Sequence, residues 1–364
     1  MIPGAAVELT NEETGIVTQS TASERGEFTL PFIPIGRYTV KVEASGFKTF
    51  VQKGLIMTAG QQSRFPVAME VGQLTETTTV TAKASHLPDA TMTMSDNITR
   101  TQLTELPLRE RDFAGLLALH NGVASTGSDG TVSINGMATA GITVTMDGVD
   151  SAGDTETNSV TLFQGFNQIK VLSLEAIQEV VVSKGITSAE VGRTYAGDFN
   201  IISMSGTNEF HGSAFHNLQN DSLNARYFFA SSRPIVRFNQ FGGSIGGRVI
   251  RNRAFFFFPC EGYRQSGHVF QRGLVPTSEF RAQAAAAVSA HKAVLDLFPL
   301  PNEPYAAGAA SGLYSGTVPI TARDNHIAAR GDYLINNNNQ LTLRWTRGRP
   351  YQIDPRLPAA SSRE

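Results

Sequence analysis

Four consecutive phenylalanines, Phe255 to Phe258 in "RNRAFFFFPCEG", constrain the fold more than any other stretch of the 364 residues. In a β-strand successive side chains point to opposite faces. A strand through this run therefore carries large apolar rings on both faces. A sheet with one wet face has no place for it, so the strand must lie between two apolar environments.

The neighbouring sequence says what kind of wall that strand belongs to. "FHGSAFHNLQ" (210–219) places Phe210, Gly212, Ala214 and Leu218 on one face. "FNQFGGSIGGRV" (238–249) places Phe241, Ile245 and Val249 opposite Gln240, Ser244 and Arg248. "NHIAARGDYLI" (325–335) sets Ile327, Ala329, Gly331, Tyr333 and Ile335 against His326, Arg330 and Asp332. "QLTLRWTR" (340–347) sets Leu341, Leu343 and Trp345 against Thr342, Arg344 and Thr346. The period is two throughout, which predicts strands. Their connections alternate: a polar loop to about 237, the turn "IRNR" (250–253), a loop over 268–322, then "NNNN" (336–339). Long, short, long, short is the pattern of a transmembrane barrel with long external loops and short periplasmic turns. The Phe-rich strand then starts at the periplasmic rim. One pair, Phe255 with Phe257 or Phe256 with Phe258, joins the aromatic girdle, and the other faces the lumen. The helix-forming "SEFRAQAAAAVSAHKAVLDLF" (278–298) is expected to sit inside the second long loop, stopped by Pro299 and Pro301.

Composition agrees with a β-rich chain. Only 17% of residues are charged and Gly (34) and Phe (22) are frequent. The net charge of −2 leaves no electrostatic footprint for nucleic acid. No run of 18 apolar residues predicts a spanning helix, and "MIPGAAVELT" has the features of neither a signal peptide nor its cleavage site.

Residues 1–72 alternate in short segments with turns every 8–12 residues, which predicts a small antiparallel sandwich. The expected strands are 5–10, 15–21, 26–33, 37–44, 49–57 and 63–69. Residues 73–96 are Thr-rich and read as an extended linker; such a segment can be captured by strand addition to a partner's sheet. In 97–206, Thr99 with Gln102 forms a capping-box pattern, and Pro107 splits the following helical stretch in two. "GITVTMDGVD" alternates up to an Asp147-Gly148 hairpin turn. "EAIQEVVVSKG" (175–185) and "GDFNIISMSG" (197–206) predict two further strands. Taken as residues, Asp147, Gly148 and Val149 are a turn, Lys184 and Gly185 a strand end, and Gly192 and Gly197 backbone-geometry positions.

The words of these segments carry a resemblance. "GAAVELTNEETG", "GEFTLPFIPIGRYTVKVEASGF" and "VAMEVG" resemble the carboxypeptidase regulatory-like domain, a prealbumin-type sandwich whose first strand would precede Met1. "LPLRERDFAGLLAL", "MDGVD", "EAIQEVVVSKG", "SAEVGRTYAG" and "NIISMSGTNEFHG" resemble the plug of TonB-dependent outer-membrane receptors of the Oar-like type, departing from it at Asp198 and Met204. "SGTNEFHGSAFHNLQNDSLNARYFF", "RFNQFGGSIGG" and "NQLTLRWTRGR" resemble their first barrel strands. The resemblance covers most of the chain. It implies that Glu76, Thr77, Thr78, Thr79, Val80, Thr81 and Ala82 form the TonB box. It also implies that an inner-membrane TonB complex pulls this box, that outer-membrane lipid surrounds the barrel, and that a substrate of unknown identity enters past the displaced plug.

The expected architecture is mainly β: a prealbumin-like β-sandwich (1–72), a linker with the candidate box (73–96), an α+β plug domain (97–206), and the first strands of a transmembrane β-barrel (207–364). Five strands cannot close a barrel, since the smallest have about eight. The chain is therefore expected to be a fragment, lacking a signal peptide and first sandwich strand at one end and most of the barrel at the other. No catalytic, metal or cofactor pattern is present. The seven histidines lack zinc spacing, the lone Cys260 has no partner, and "GGSIGGR" lacks the Gly-Lys-Ser/Thr of a phosphate loop. The sandwich serves as a spacer or binds a glycan or peptide. The expected function is TonB-dependent transport; the alternative is a surface adhesion protein that holds a glycan or partner without transport.

Overall fold

The computed structural model describes residues 2–59, 63–72, 77–86, 94–105, 120–125, 132–137, 142–150, 173–185, 192, 194–226, 233, 235–336, 339–349 and 351–353. The second plug helix expected beyond Pro107, and Glu76, fall outside these residues. The chain divides into two compact units: residues 1–214, 243–260 and 326–348, and residues 215–242, 261–325 and 349–364.

In the first unit the N-terminal sheet holds β1 (Ala6–Asn11), β2 (Val17–Thr21), β3 (Gly36–Glu43), β4 (Thr49–Met57) and β5 (Thr77–His86) in the order β2-β1-β3-β4-β5. The first three pairings are antiparallel and β4–β5 is parallel. Alternation puts Val7, Leu9, Tyr38, Val40 and Val42 into one core with Phe50 and Leu55. The β1–β2 turn closes where Asn11 predicts it: its side-chain oxygen accepts from the N–H groups of Glu13 and Thr14, each at 2.9 Å. Two expected strands, 26–33 and 63–69, are not laddered. Pro31, Pro34 and Pro66 interrupt them, and Phe32 has a positive φ of 55°. They still cover the core with Phe28, Leu30, Ile33, Phe65, Val67 and Met69. Apolar packing survives there without ladder hydrogen bonds.

The plug sheet contains β6 (Met94–Thr99), β9 (Ile142–Met146), β10 (Val149–Asp150), β11 (Ile177–Lys184) and β12 (Gly197–Ser203), in the order β10-β9-β12-β11-β6. The short β7 (Val123–Ser125) and β8 (Val132–Ile134) pair separately. A helix, Arg100–Glu105, follows Thr99, and Gln102 Oε1 accepts the Thr99 N–H at 2.9 Å, as the capping box requires. Asp147 (φ 49°) and Gly148 (φ 79°) form the expected hairpin turn with both residues left-handed. Phe199, Ile201, Val144, Val180, Val182 and Ile98 fill the core between sheet and helix.

The third sheet runs β13 (His211–Asn220), β14 (Val236–Ile250), β15 (Ala254–Pro276), β16 (Ser311–Asn336) and β17 (Asn339–Gly348), with β18 (Tyr351–Ile353) also on β16. Among the described residues it does not close. β15 and β16 are 23 and 26 residues long, against the roughly 9–11 needed to cross a bilayer. The connection expected over 268–322 is accordingly shorter, because the strands continue to Pro276 and restart at Ser311. β15 passes through Pro259 without ending. The single helix expected over 278–298 is two, Ser278–Ala287 and Ala290–Leu295. The Arg281 guanidinium donates to the carbonyls of Pro276, Phe298 and Pro299, which holds the connection together.

Polarity in this sheet is inverted relative to a soluble one. Leu343 is 72% exposed and Val249 69%, while Asp332 is 5% exposed. Water gives no reason to turn leucine, valine and tryptophan outward and aspartate inward; hydrocarbon does.

Candidate functional site

The Phe run lies where the wall meets the inside. Phe255 and Phe257 are buried, while Phe258 is 40% exposed and Phe256 is half-buried. Phe256 packs on Phe210, ring centroids 6.3 Å apart. The inner pair is thus Phe255 with Phe257 and the outer pair Phe256 with Phe258. Gly246 and Gly247 of "GGSIGG" make room for aromatic rings, and Gly243 for the Ser213 backbone. A Cβ on Gly246 would stand 2.6 Å from the Phe257 ring, and one on Gly247 would strike Phe210. Close packing of backbone against rings accounts for a glycine pattern that superficially suggests phosphate binding.

On the inner face the barrel strands hold the plug through charge. β16 and β17 are antiparallel, with Arg330 opposite Arg344 and Asp332 opposite Thr342. Asp147, projected by its hairpin turn, accepts from Arg344 Nη1 at 2.6 Å through Oδ2, and its Oδ1 lies 3.7 Å from Arg330 Nη1. The same carboxylate accepts from Ser203 N at 2.9 Å and Ser203 Oγ at 2.7 Å. Arg330 Nη1 donates to the Ser203 carbonyl at 2.6 Å and to Ser203 Oγ at 2.9 Å. Its other guanidinium nitrogens form a two-bond fork with Asp332, at 2.9 and 3.0 Å. Asp332 also accepts from Ser205 Oγ at 2.6 Å and Thr342 Oγ1 at 2.8 Å. Every charged member of this cluster therefore has an oppositely charged partner, as burial demands.

A second tie uses Glu175, which is 4% exposed. Arg100 Nη2 donates to its carboxylate at 2.8 Å, as does Ser213 Oγ of β13 at 2.9 Å. Arg100 Nη1 also donates to the carbonyls of Glu175 and Ile177, at 3.0 and 2.9 Å, bracing the turn that carries Glu175.

The remaining plug residues take structural places. Lys184 is buried and its Nζ donates to Asp96 Oδ2 and the Asn121 carbonyl, both at 2.5 Å. The neighbouring ammonium holds the Asp96 carboxyl below its ordinary range. Gly185 (φ 80°) ends β11. A Cβ on Gly197 would stand 2.5 Å from the Ser183 carbonyl, whereas Gly192 has open space around it. Val149, in the hairpin arm, is 61% exposed.

Contacts at Glu13 and at Ala59 join the N-terminal sheet to the rest of the unit. Glu13 O accepts from Asn208 N at 2.9 Å, beside Asn252 at the β14–β15 turn, whose own N–H donates to Asn208 Oδ1 at 2.9 Å. Glu179 of β11 accepts from the Ala59 backbone N–H and from Asn97 Nδ2, the latter at 2.6 Å. Burial lifts the Glu179 carboxyl to about 7, and these two donors oppose the rise. Of the candidate box, Thr77 to Ala82 lie in β5, and Thr77 to Thr81 pair with β4.

Residue types alone did not single out Arg100, Glu175, Ser203, Ser205, Arg330, Asp332 or Arg344. The available signal was the repeated charge on the face opposite the exposed apolar residues of β16 and β17. Among the described residues no cluster suited to a metal ion is present.

Comparison with known proteins gives three family matches along the chain. Residues 1–70 match the carboxypeptidase regulatory-like domain, 88–197 the TonB-dependent receptor plug domain, and 202–362 an outer membrane beta barrel domain. The TonB-dependent transporter Oar of Myxococcus xanthus is 24% identical over 273 residues, covering 70% of this chain and 25% of that protein. This chain thus spans about a quarter of the curated relative's length. Among solved structures, the siderophore receptor PirA from Acinetobacter baumannii is 18% identical over 71% of this chain and 32% of its own, with a TM-score of 0.45. The outer membrane transporter YddB from Escherichia coli is 13% identical over 70% and 33%, with a TM-score of 0.43. The chain thus carries a carboxypeptidase regulatory-like domain, a TonB-dependent receptor plug domain and an outer membrane beta barrel domain in that order, and is similar to the TonB-dependent outer-membrane receptors of the Oar-like type.

Proposed function

We propose that the protein of which this chain is part moves a substrate across the outer membrane, with the plug as the gate and TonB as the source of force. The observation that carries the reading is the tie of Asp147 to Arg344 and Arg330. A plug tied to the wall by charge-assisted hydrogen bonds stays shut at rest and is released when those bonds are pulled apart. The family is one of transporters, and binding and displacement are the chemistry this reading assigns to the chain. In this reading residues 76–82 are where the TonB complex takes hold, and the exposed apolar side chains of β14 to β17 meet outer-membrane lipid.

The test is deletion of residues 76–82 in the complete protein, with outer-membrane abundance checked by fractionation. Transport predicts the same growth defect as loss of the whole gene. A wild-type phenotype at normal abundance would leave the non-transporting adhesion reading in its place.

A further inference from the structure

β5 is not an idle connection. Its register on β4 runs Thr49 with Thr77, Phe50 with Thr78, Val51 with Thr79, Gln52 with Val80 and Lys53 with Thr81. It then slips and resumes at Leu55 with Ser85 and Ile56 with His86. The slip falls at Gly54, whose φ is 75° and whose N–H donates to Glu12 Oε1 at 3.0 Å. Glu12 Oε1 also accepts from Thr39 Oγ1 at 2.8 Å, so the irregularity is anchored from two strands. The first, continuous part of the ladder covers residues 77–81, nearly the whole candidate box. The second part covers only 85 and 86.

The sheet that holds this strand is itself fastened. Glu13 O receives the Asn208 N–H at the barrel rim, and the Ala59 N–H reaches Glu179 in the plug sheet. The chain continues from β5 to β6, the plug's edge strand, paired to β11. A pull on residues 77–81 while they are laddered to β4 is therefore borne by the N-terminal sheet and these fastenings. It reaches β6 only after β5 has left β4.

From this we propose that the regulatory-like sheet is a mechanical clutch: it keeps the box as its own fifth strand, and β4 must release that strand before tension can displace the plug. The inference rests on the reading of 76–82 as the TonB box. The ladder at 77–81 is the engaged state. The slip at Gly54 divides the ladder, so 77–81 part from β4 first and the two pairs at 85 and 86 follow before tension reaches β6.

Val51 and Thr79 are opposed in register, so a disulfide between cysteines at these positions would keep the clutch engaged. The experiment uses the complete protein carrying V51C, T79C and C260S, the last to remove the native thiol. Expected is a growth defect equal to that of the 76–82 deletion, at normal outer-membrane abundance. Normal growth should return in cells that cannot form periplasmic disulfides, and in either single-cysteine variant. Parental growth with the disulfide shown to be formed overturns the clutch, since the strand need not leave β4. A defect that persists in the single-cysteine variants or without the disulfide also overturns it, because the bond is then not the cause. If deleting 76–82 has no effect, the box reading itself falls and takes the clutch with it, an outcome distinct from the other two.

Discussion

Arg330 and Arg344 stand directly opposite each other on neighbouring strands, and the Asp147 carboxylate lies against both. Like charges in opposed positions destabilise a sheet. Here the anion that offsets the repulsion comes from the plug, from a residue nearly two hundred positions away in the chain. The plug thus supplies an anion that relieves this repulsion in the wall. Asp332 adds to the effect by holding Arg330 in a fork.

Replacing Asp147 with Asn should keep the hairpin, because Asn tolerates the left-handed backbone, but remove the charge between the arginines. We expect a loss of about 1–3 kcal/mol in the resistance of the plug to urea, and earlier protease cleavage of the plug than of the wall. Asp147→Ala should cost more, since it adds backbone strain. Combining D147N with Arg344→Leu should recover part of the loss; full additivity of the two changes would show that they do not interact.

Glu179 makes a pH prediction. Its folded value is about 7, against an ordinary 4.5, because it is buried. Between these values the folded protein holds a proton that the unfolded chain releases. Stability from this group is therefore complete below about 4.5 and falls as pH rises through 7, by up to about 3 kcal/mol. Urea midpoints measured at pH 5 and pH 8 should show the drop, and Glu179→Gln should flatten it. A larger drop in the Gln variant would exclude Glu179 as its origin.

Trp345 faces outward and is half exposed. Trp345→Arg should cost about 2–4 kcal/mol in a bilayer if the site lies near the midplane, and less near the interface. The same change on a water-facing strand would stay within about 0.5 kcal/mol. Folding of the complete barrel into lipid vesicles, followed by its altered mobility on unheated gels, measures the difference.

Gly246→Val places a branched side chain where only 2.6 Å separates a Cβ from the Phe257 ring. Overpacking of this kind costs about 1–3 kcal/mol. The double variant Gly246→Val with Phe257→Ala should fold better than Gly246→Val alone, which equilibrium unfolding can check.

Much of this was legible residue by residue. The Asp147-Gly148 turn, the Thr99–Gln102 cap, the Asn11 turn and the period-two strands of the wall all depend on neighbours a few positions apart. The resemblance to the plug and regulatory-like families was likewise carried by short words in order. What misled was also local: 26–33 and 63–69 alternate like strands, yet their prolines deny them a ladder while their apolar side chains still reach the core. The extent of β15 and β16 was underestimated because polar sequence beyond the bilayer can continue a ladder that no lipid requires.

The sequence by itself determined that this chain is a β protein with rings on both faces of one strand and apolar side chains turned outward on others, because periodicity and turn chemistry are short-range properties. Only the tertiary structure decided that Phe255 and Phe257 are the inner pair, that Asp147 answers Arg330 and Arg344, and that residues 77–81 are held by β4. Each of these depends on which of several chemically equivalent partners is brought near, and a charge or a strand edge carries no mark of its partner until the chain has folded around it.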